Sequence, residues 1–208
     1  MNTIKYSILA LFCLIFTGEN SFAGTKNTTP PAKPEIATFG MGCFWCSEAI
    51  FQKLKGVTKV ESGFSGGSVK NPSYEAVCTG TTGHAEVVNV TFDPSVISFK
   101  ELLEVFWKLH DPTTLNRQGA DEGTQYRSVI FYHNDAQKSL ATAYKTELNK
   151  QKVYPDPIVT QIAPFTAFYK AENYHQNYFK LNQRNPYCRM VIMPKVDKLE
   201  KVFKSKLK

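Results

Sequence analysis

Short segments with alternating or continuous apolar residues predict the strands of one sheet. The clearest is Ala85–Phe92 (AEVVNVTF), which is rich in β-branched residues and predicts a central strand. Similar segments predict further strands at Glu35–Phe39, Val57–Phe64, Ser128–Tyr132 and Ile158–Ile162. Glycine, proline and polar clusters separate these segments, as expected for loops between strands.

Helical spacing of apolar residues appears between the strands. It predicts helices at Cys43–Leu54, Asp135–Lys150 and Ala171–Phe179, and a further helix that begins at the capping box Ser98–Glu101. The polar, glycine-containing stretch Asp111–Thr124 predicts a loop. Because strands and helices interleave, we expect one α+β domain in which helices pack on a mixed sheet.

The N-terminus has the three-part pattern of a secretory signal peptide. Met1–Lys5 is short and basic, Tyr6–Thr17 is apolar, and Ser21-Phe22-Ala23 offers small residues for cleavage. The apolar run is shorter than the roughly 20 residues of a spanning helix, so no stable membrane insertion is expected. We therefore expect a signal peptide at 1–23, a flexible leader at 24–34 and a domain at 35–208. The expected compartment is the periplasm, after export.

Composition is that of an ordinary globular protein. Of the 208 residues 42% are hydrophobic and 21% are charged, and the formal net charge is +7. Six lysines lie in Lys195–Lys208, after a stretch past Asn185 that we expect to be irregular. No nucleic-acid motif accompanies this basic tail, so we expect no nucleic-acid partner and interpret the tail as a solvated terminal helix. Its apolar residues would dock on the domain: Val196, Leu199, Val202 and Phe203.

Gly42–Cys46 (GCFWC) is the segment with the clearest chemistry. Cys43 follows a strand and a glycine and begins a helix, where backbone N–H groups and the helix dipole favour a thiolate. We therefore expect a lowered pKa for Cys43. Cys46 follows after one helical turn, within reach of a disulfide if the turn flexes.

Other interpretations of the two cysteines are an inert buried pair, a zinc site and a thioredoxin-like CxxC motif. A zinc site would require a second close pair of ligands, and the remaining candidates are scattered, so we expect no metal. The bulky Phe44 and Trp45 argue against exchange with a protein disulfide, although a disulfide oxidoreductase acting through Cys43 and Cys46 stays the alternative function.

Glu86 stands at the entry to the apolar strand Val87–Phe92, after Gly83-His84-Ala85. Burial there would raise the pKa of its carboxyl group, so that it stays protonated near neutral pH. A protonated carboxyl beside a thiolate forms an acid and nucleophile pair. On this segment alone, a surface glutamate at a strand end would be the simpler interpretation.

Seven segments in one order resemble the A type of peptide methionine sulfoxide reductase, and the resemblance runs from about Ile36 to about Cys188. The segments are Gly42–Cys46, Asn71–Tyr74, Thr82–Glu86, Asp93-Pro94, His110–Pro112, Gly123–Ser128 and Glu172–Gln176.

The resemblance implies a ferredoxin-like two-layer core with a long coiled C-terminal segment, so that 35–208 is a reductase domain that acts on methionine S-sulfoxide. Cys43 matches the nucleophile and Glu86 the proton donor. Tyr74 and Tyr126 match the tyrosines that hydrogen-bond the sulfoxide oxygen, and Asp121 matches the acidic residue of that network. Phe44 and Trp45 match the apolar seat of the substrate methyl group, and His175 and Tyr178 are expected near the site.

The family resolves the sulfenic acid of the nucleophile with a second thiol, and here two cysteines qualify. Many members have glycine where this chain has Cys46, and Cys188 lies near the family's first C-terminal resolving cysteine. We expect a Cys43–Cys46 disulfide first, which Cys188 then attacks. Cys78 is interpreted as a buried structural cysteine. No bound cofactor is expected; a thioredoxin-like protein would supply reducing equivalents to what we expect to be a monomer.

Overall fold

The computed structural model describes residues 33–208, so the predicted signal peptide and most of the leader lie outside the described residues. The domain contains a six-stranded sheet and a two-stranded hairpin. The strands are β1 (Glu35–Met41), β2 (Val57–Ser65), β3 (Ala85–Phe92), β4 (Arg117–Gln118), β5 (Asp121–Glu122), β6 (Ser128–Tyr132), β7 (Gln161–Pro164) and β8 (Phe168–Lys170). The helices are α1 (Phe44–Phe51), α2 (Tyr74–Cys78), α3 (Phe99–Leu109), α4 (Asp135–Lys150), α5 (Tyr178–Leu181) and α6 (Met193–Val202).

The large sheet has the strand order β7-β6-β1-β3-β2-β8. Its pairs are antiparallel except for β6 and β7, which are parallel, so the sheet is mixed. The four central strands follow a βαββαβ path through α1 and α3 in the order β6-β1-β3-β2. This is the ferredoxin-like arrangement, and the predicted fold class is confirmed.

Phe39 on β1 organises the core between the sheet and helices α1 and α3. Its ring stacks on Phe51 at 5.2 Å and on Phe99 at 5.9 Å, and it meets Phe106 at 5.3 Å. All four rings are buried. The opposite sheet face carries a second cluster of Ala85, Val87, Val129 and Phe131, which Ala163, Phe165 and Phe168 cover.

Helix α3 begins at the predicted capping box. The Ser98 hydroxyl accepts the Glu101 N–H at 3.2 Å, and the Glu101 carboxylate accepts the Ser98 N–H at 2.8 Å. Helix α4 has the predicted bounds, and Asn134 caps it through the Gln137 N–H. Local sequence signals therefore determine where these two helices begin.

Three predictions in the remaining chain need correction. The expected loop Asp111–Thr124 contains the hairpin of β4 and β5, and the strand expected at Ile158–Ile162 is displaced to β7. The helix expected at Ala171–Phe179 is absent, because a 3₁₀ turn at Asn173–His175 is followed by Asn177 with a left-handed φ of 56°, and only then by the short α5.

The C-terminal segment contains only short elements between α4 and Ile192. The expected irregular stretch past Asn185 is instead partly helical, since a π-helical turn at Cys188–Ile192 leads into α6. The apolar side of α6 docks on α1 and α3, as predicted: Val196, Leu199 and Phe203 are buried, whereas Val202 is only partly buried. None of the helices that the structure describes is long and apolar enough to cross a membrane.

Candidate active site

Cys43 lies at the junction between β1 and α1. Gly42 turns the chain with φ of 86°, and a Cβ atom there would approach the Gln118 side chain to 2.6 Å. A glycine therefore permits both the left-handed turn and the close approach of the β4–β5 hairpin. The turn leaves Cys43 as the N-cap residue of α1, 6% exposed.

Glu86 lies beneath the start of α1. It is the second residue of β3 and pairs with Phe64 of β2, and the period of two places it on the same sheet face as Val88. This is the helix-covered face, because Val88 pairs with Phe39. The Glu86 carboxyl group accepts the Phe44 N–H at 3.0 Å and is 1% exposed.

The pKa of Glu86 is raised to about 8, mainly by burial; the nearby charges of Asp121 and Cys46 contribute to the rise, and the Phe44 hydrogen bond opposes it. A buried carboxyl in this setting favours its neutral form, so at pH 7 most Glu86 side chains hold a proton. Glu86 is thus buried, as expected, and its raised pKa favours the protonated form.

The expected lowering of the Cys43 pKa is wrong. Burial raises the pKa of the Cys43 thiol, and the interaction with Cys46 and the Glu86 charge add to the effect. The first free N–H of α1, on Phe44, points to Glu86 and leaves the Cys43 sulfur without that stabilisation. The helix terminus therefore binds the carboxyl group of Glu86 rather than the sulfur of Cys43.

Cys46 takes the anionic role in the thiol pair. The pKa of Cys46 is lowered to about 7 despite burial, mainly by its interaction with the Cys43 thiol, and the positive charge of Lys195 contributes to the lowering. Two adjacent buried thiolates would repel each other, so the pair loses one proton near neutrality and retains the other. The two cysteines share the retained proton.

The tyrosines and Asp121 surround this thiol pair. Tyr74 on α2 and Tyr126 in the 3₁₀ turn Thr124–Tyr126 are half-buried, and burial together with the Glu86 charge raises the pKa of both phenols. Asp121 opens β5 and accepts the hydroxyl of Tyr187 at 2.7 Å. Each of these side chains interacts electrostatically with Glu86 or with one of the two cysteines; they are Tyr74, Tyr126, Asp121 and Tyr187.

Tyr187 is a site residue that the sequence analysis did not identify. Its hydroxyl group donates to Asp121 at 2.7 Å, and its interaction with Cys43 acts to lower the pKa of that thiol. A phenol has one proton, so a thiolate on Cys43 competes with Asp121 for it. The sequence contained one clue to this role, because Tyr187 directly precedes the candidate resolving cysteine Cys188.

Aromatic rings form the wall of the site above Cys43. Trp45 stacks on Tyr178 with ring centroids 3.6 Å apart, and its indole N–H donates to His175 Nδ1 at 3.1 Å. Phe44 contacts His175 at 5.0 Å and Tyr74 at 6.3 Å. His175 and Tyr178 thus lie beside the site, as predicted.

The remaining cysteines lie in different surroundings. Cys188 is fully buried and within electrostatic reach of Cys46. Cys78 is exposed, at the end of α2, so its interpretation as a buried structural cysteine is wrong. All four cysteines of residues 33–208 are free thiols. Within the same residues, no cluster of three or more potential metal ligands occurs.

Comparison with known protein families identifies the family to which this chain belongs. The family model described as peptide methionine sulfoxide reductase matches residues 35–207. The chain belongs to this family. A peptide methionine sulfoxide reductase MsrA of Saccharolobus solfataricus is 55% identical over 84% of this chain and 97% of that protein. One from Thermus thermophilus is 53% identical over 84% of this chain and 98% of its own length.

Solved structures of the reductase family have the same fold. Reduced Mxr1 from Saccharomyces cerevisiae gives a TM-score of 0.69 at 35% identity and covers 81% of this chain and 96% of its own. Methionine sulfoxide reductase A of Corynebacterium diphtheriae gives 0.66 at 34% identity over 76% of this chain and 78% of its own. The predicted membership in the A-type reductases is confirmed.

Proposed function

We propose that this member of the family reduces methionine S-sulfoxide, free or within proteins, to methionine. The observation that carries the proposal is the buried carboxyl group of Glu86, which accepts the Phe44 N–H next to Cys43 under an aromatic wall and has a raised pKa that favours its neutral form. Sulfoxide oxygen leaves sulfur readily only when it is protonated, and a carboxyl with a pKa of about 8 holds its proton until that step.

In this mechanism the substrate methyl group packs against Phe44 and Trp45, because an aromatic wall contacts an S-methyl group favourably. Tyr74 and Tyr126 donate hydrogen bonds to the sulfoxide oxygen, and Asp121 orients the network through Tyr187. The proton shared by the two cysteines moves to Cys46, which leaves the anion on Cys43 for attack.

The Cys43 thiolate attacks the sulfoxide sulfur while Glu86 donates its proton to the oxygen. The oxygen then passes to Cys43 as a sulfenic acid, and methionine leaves. Cys43 loses two electrons in this step, and the sulfoxide gains them. Cys46 condenses with the sulfenic acid to a disulfide and water, and Cys188 then attacks Cys46 and frees Cys43.

The burial of Cys43 and Cys46 argues against the alternative function, a disulfide oxidoreductase. Cys43 is 6% exposed and Cys46 is 1% exposed, so in the reduced form that the structure describes the disulfide of another folded protein has little access to either sulfur. A disulfide oxidoreductase needs such access, whereas a small sulfoxide does not. The geometry therefore favours the reductase over the oxidoreductase.

We further propose that residues 1–23 direct export, that 24–34 are a leader, and that the mature enzyme works as a periplasmic monomer without stable insertion into the membrane. An oxidising compartment would leave the enzyme in its disulfide form, so a thioredoxin-like protein there must reduce it. N-terminal sequencing of the protein from a periplasmic fraction tests this. A mature form that begins near Gly24 is expected, and an intact Met1 in the cytoplasm would overturn the export proposal.

A single-turnover experiment tests the reductase. Fully reduced enzyme is mixed with excess methionine S-sulfoxide without added reductant, and methionine is counted per enzyme, with the R epimer as a control. Wild type is expected to release about one to two methionines per enzyme, and Cys43→Ser none. Equal release by Cys43→Ser, or none by wild type, would overturn the proposed reaction.

A further inference from the structure

Glu48 has a buried carboxyl group that takes no part in the proposed reaction. It lies on α1, one helical turn after Trp45, and is 1% exposed. A glutamate is almost never buried so fully unless bonding partners replace the water that it has lost. Burial raises the pKa of this carboxyl group, and hydrogen bonds from two backbone N–H groups oppose the rise. These two donors indicate what the side chain does.

Both carboxyl oxygens of Glu48 bind the backbone at the start of α5. Oε1 accepts the Asn177 N–H at 2.9 Å, and Oε2 accepts the Tyr178 N–H at 3.3 Å. Asn177 has a left-handed φ of 56°, and a left-handed residue before a helical one turns consecutive N–H groups to one side. The Asn177 side chain does not cap α5. Glu48 therefore caps this helix from a different helix.

The position of α5 depends on contacts of this kind. The helix has four residues, and a helix of one turn is not stable by itself because its nucleation is unfavourable. Two further side chains hold the segment. Gln52 donates to the Asn177 side chain at 2.9 Å, and Asn185 donates to the Tyr178 hydroxyl at 3.3 Å. Glu48 is buried, whereas Gln52 and Asn185 are not, so its two bonds are the ones shielded from competing water.

The place of α5 matters because its first residue forms part of the aromatic wall. The Tyr178 ring lies parallel to the Trp45 ring, with centroids 3.6 Å apart and an angle of 5° between the planes. In the proposed mechanism Trp45 contacts the methyl group of the substrate. Trp45, Glu48 and Gln52 follow at helical spacing on one face of α1. This face therefore carries the methyl seat and also holds the segment that stacks on it.

We propose that Glu48 is a positioning residue that holds Tyr178 against Trp45 and so sets the size of the seat for the S-methyl group. The inference rests on the proposed reductase function. No proton or electron passes through Glu48, so it acts on the choice of substrate and not on bond breaking. A seat of fixed size accepts a methyl group and disfavours an ethyl group. Without both bonds from Glu48, α5 can move away from α1, and the seat widens.

Replacement of Glu48 by glutamine should loosen this arrangement. The amide has one acceptor oxygen, and its NH₂ group would face the second backbone N–H, donor against donor. The half-saturating concentration of methionine S-sulfoxide should rise about tenfold, the lower end of what one methyl-sized contact contributes in an apolar pocket. The maximal rate should stay within about twofold, because Cys43 and Glu86 are unchanged. The preference for methionine over ethionine S-sulfoxide should fall about tenfold.

The test measures the first methionine released by fully reduced enzyme at increasing substrate concentration, with ethionine S-sulfoxide in parallel. The enzymes are wild type, Glu48→Gln, Tyr178→Ala and the double variant. Because Glu48 acts through Tyr178, the two losses of preference should not add in the double variant. Glu48→Gln should keep the pH dependence of wild type, since the acid is in place. Glu200→Gln, a surface glutamate on α6, is the matched control and should equal wild type.

A wild-type preference in Glu48→Gln would overturn the proposal. Losses that add in the double variant would also overturn it, because Glu48 would then act without Tyr178, and so would a loss confined to the maximal rate. If Glu48→Gln does not fold, Glu48→Asp, which is shorter by one methylene group, is judged by the same outcomes. If wild type releases no methionine, the reductase function itself fails, which is distinct from an active wild type whose preference does not depend on Glu48.

Discussion

Replacement of Glu86 by glutamine tests the central feature of the site, a carboxyl group that holds a proton at neutral pH. Glutamine keeps a side-chain oxygen that can accept the Phe44 N–H, so the start of α1 should stay in place. It cannot donate an acidic proton to the substrate. With a pKa of about 8, about nine tenths of Glu86 is protonated at pH 7. The substitution therefore removes a proton donor that most wild-type molecules carry at this pH.

The expected loss in single-turnover rate is about 10²- to 10⁴-fold, the usual contribution of a positioned general acid. Wild-type activity should decline above pH 8 as Glu86 ionises, whereas the residual activity of Glu86→Gln should lack this decline. The assay is methionine release against pH 6–10, with Glu200→Gln, a surface glutamate paired with Lys53, as the matched control.

The stability of the folded protein should also depend on the ionisation of Glu86. The folded pKa of Glu86 lies above its ordinary value of 4.5, so between pH 4.5 and 8 the folded state binds a proton that the unfolded state has lost. The free energy of unfolding therefore falls with rising pH in that window, by about 3 kcal/mol between pH 4.5 and 7. Glu86→Gln should lack this fall in urea titrations.

Two results would refute the reasoning. A Glu86→Gln enzyme within tenfold of wild type would show that Glu86 is not the proton donor. An unchanged dependence of unfolding free energy on pH would show that the carboxyl group is already ionised in the folded protein.

Three further predictions concern other parts of the molecule. Cys188→Ser should reduce methionine release without reductant from about two per enzyme to about one, because no thiol then frees Cys43; an unchanged yield would contradict the relay. Tyr187→Phe removes an interaction that lowers the pKa of Cys43 and should slow the first turnover about tenfold near pH 7, with recovery at higher pH; a rate equal to wild type at all pH values would contradict it. Ser98→Ala removes a helix cap and should cost about 1 kcal/mol in urea unfolding, against no change for the exposed Ser205→Ala.

The sequence by itself determined the elements whose signals are local. The alternation in Ala85–Phe92 specified β3 and placed Glu86 on the same face as Val88, and the Ser98–Glu101 capping box specified the start of α3. The order of the motifs specified the family. These signals work because backbone periodicity and capping depend on residues that are close in the chain.

The tertiary structure alone decided the electrostatics of the thiols. Local sequence predicted a lowered pKa for Cys43, but β3 brings Glu86 to the free N–H of α1, and burial dominates. The C-terminal segment brings Tyr187 to Cys43 and Lys195 to Cys46 across more than a hundred residues. Desolvation and charge proximity depend on such distant contacts, and no window of sequence contains them.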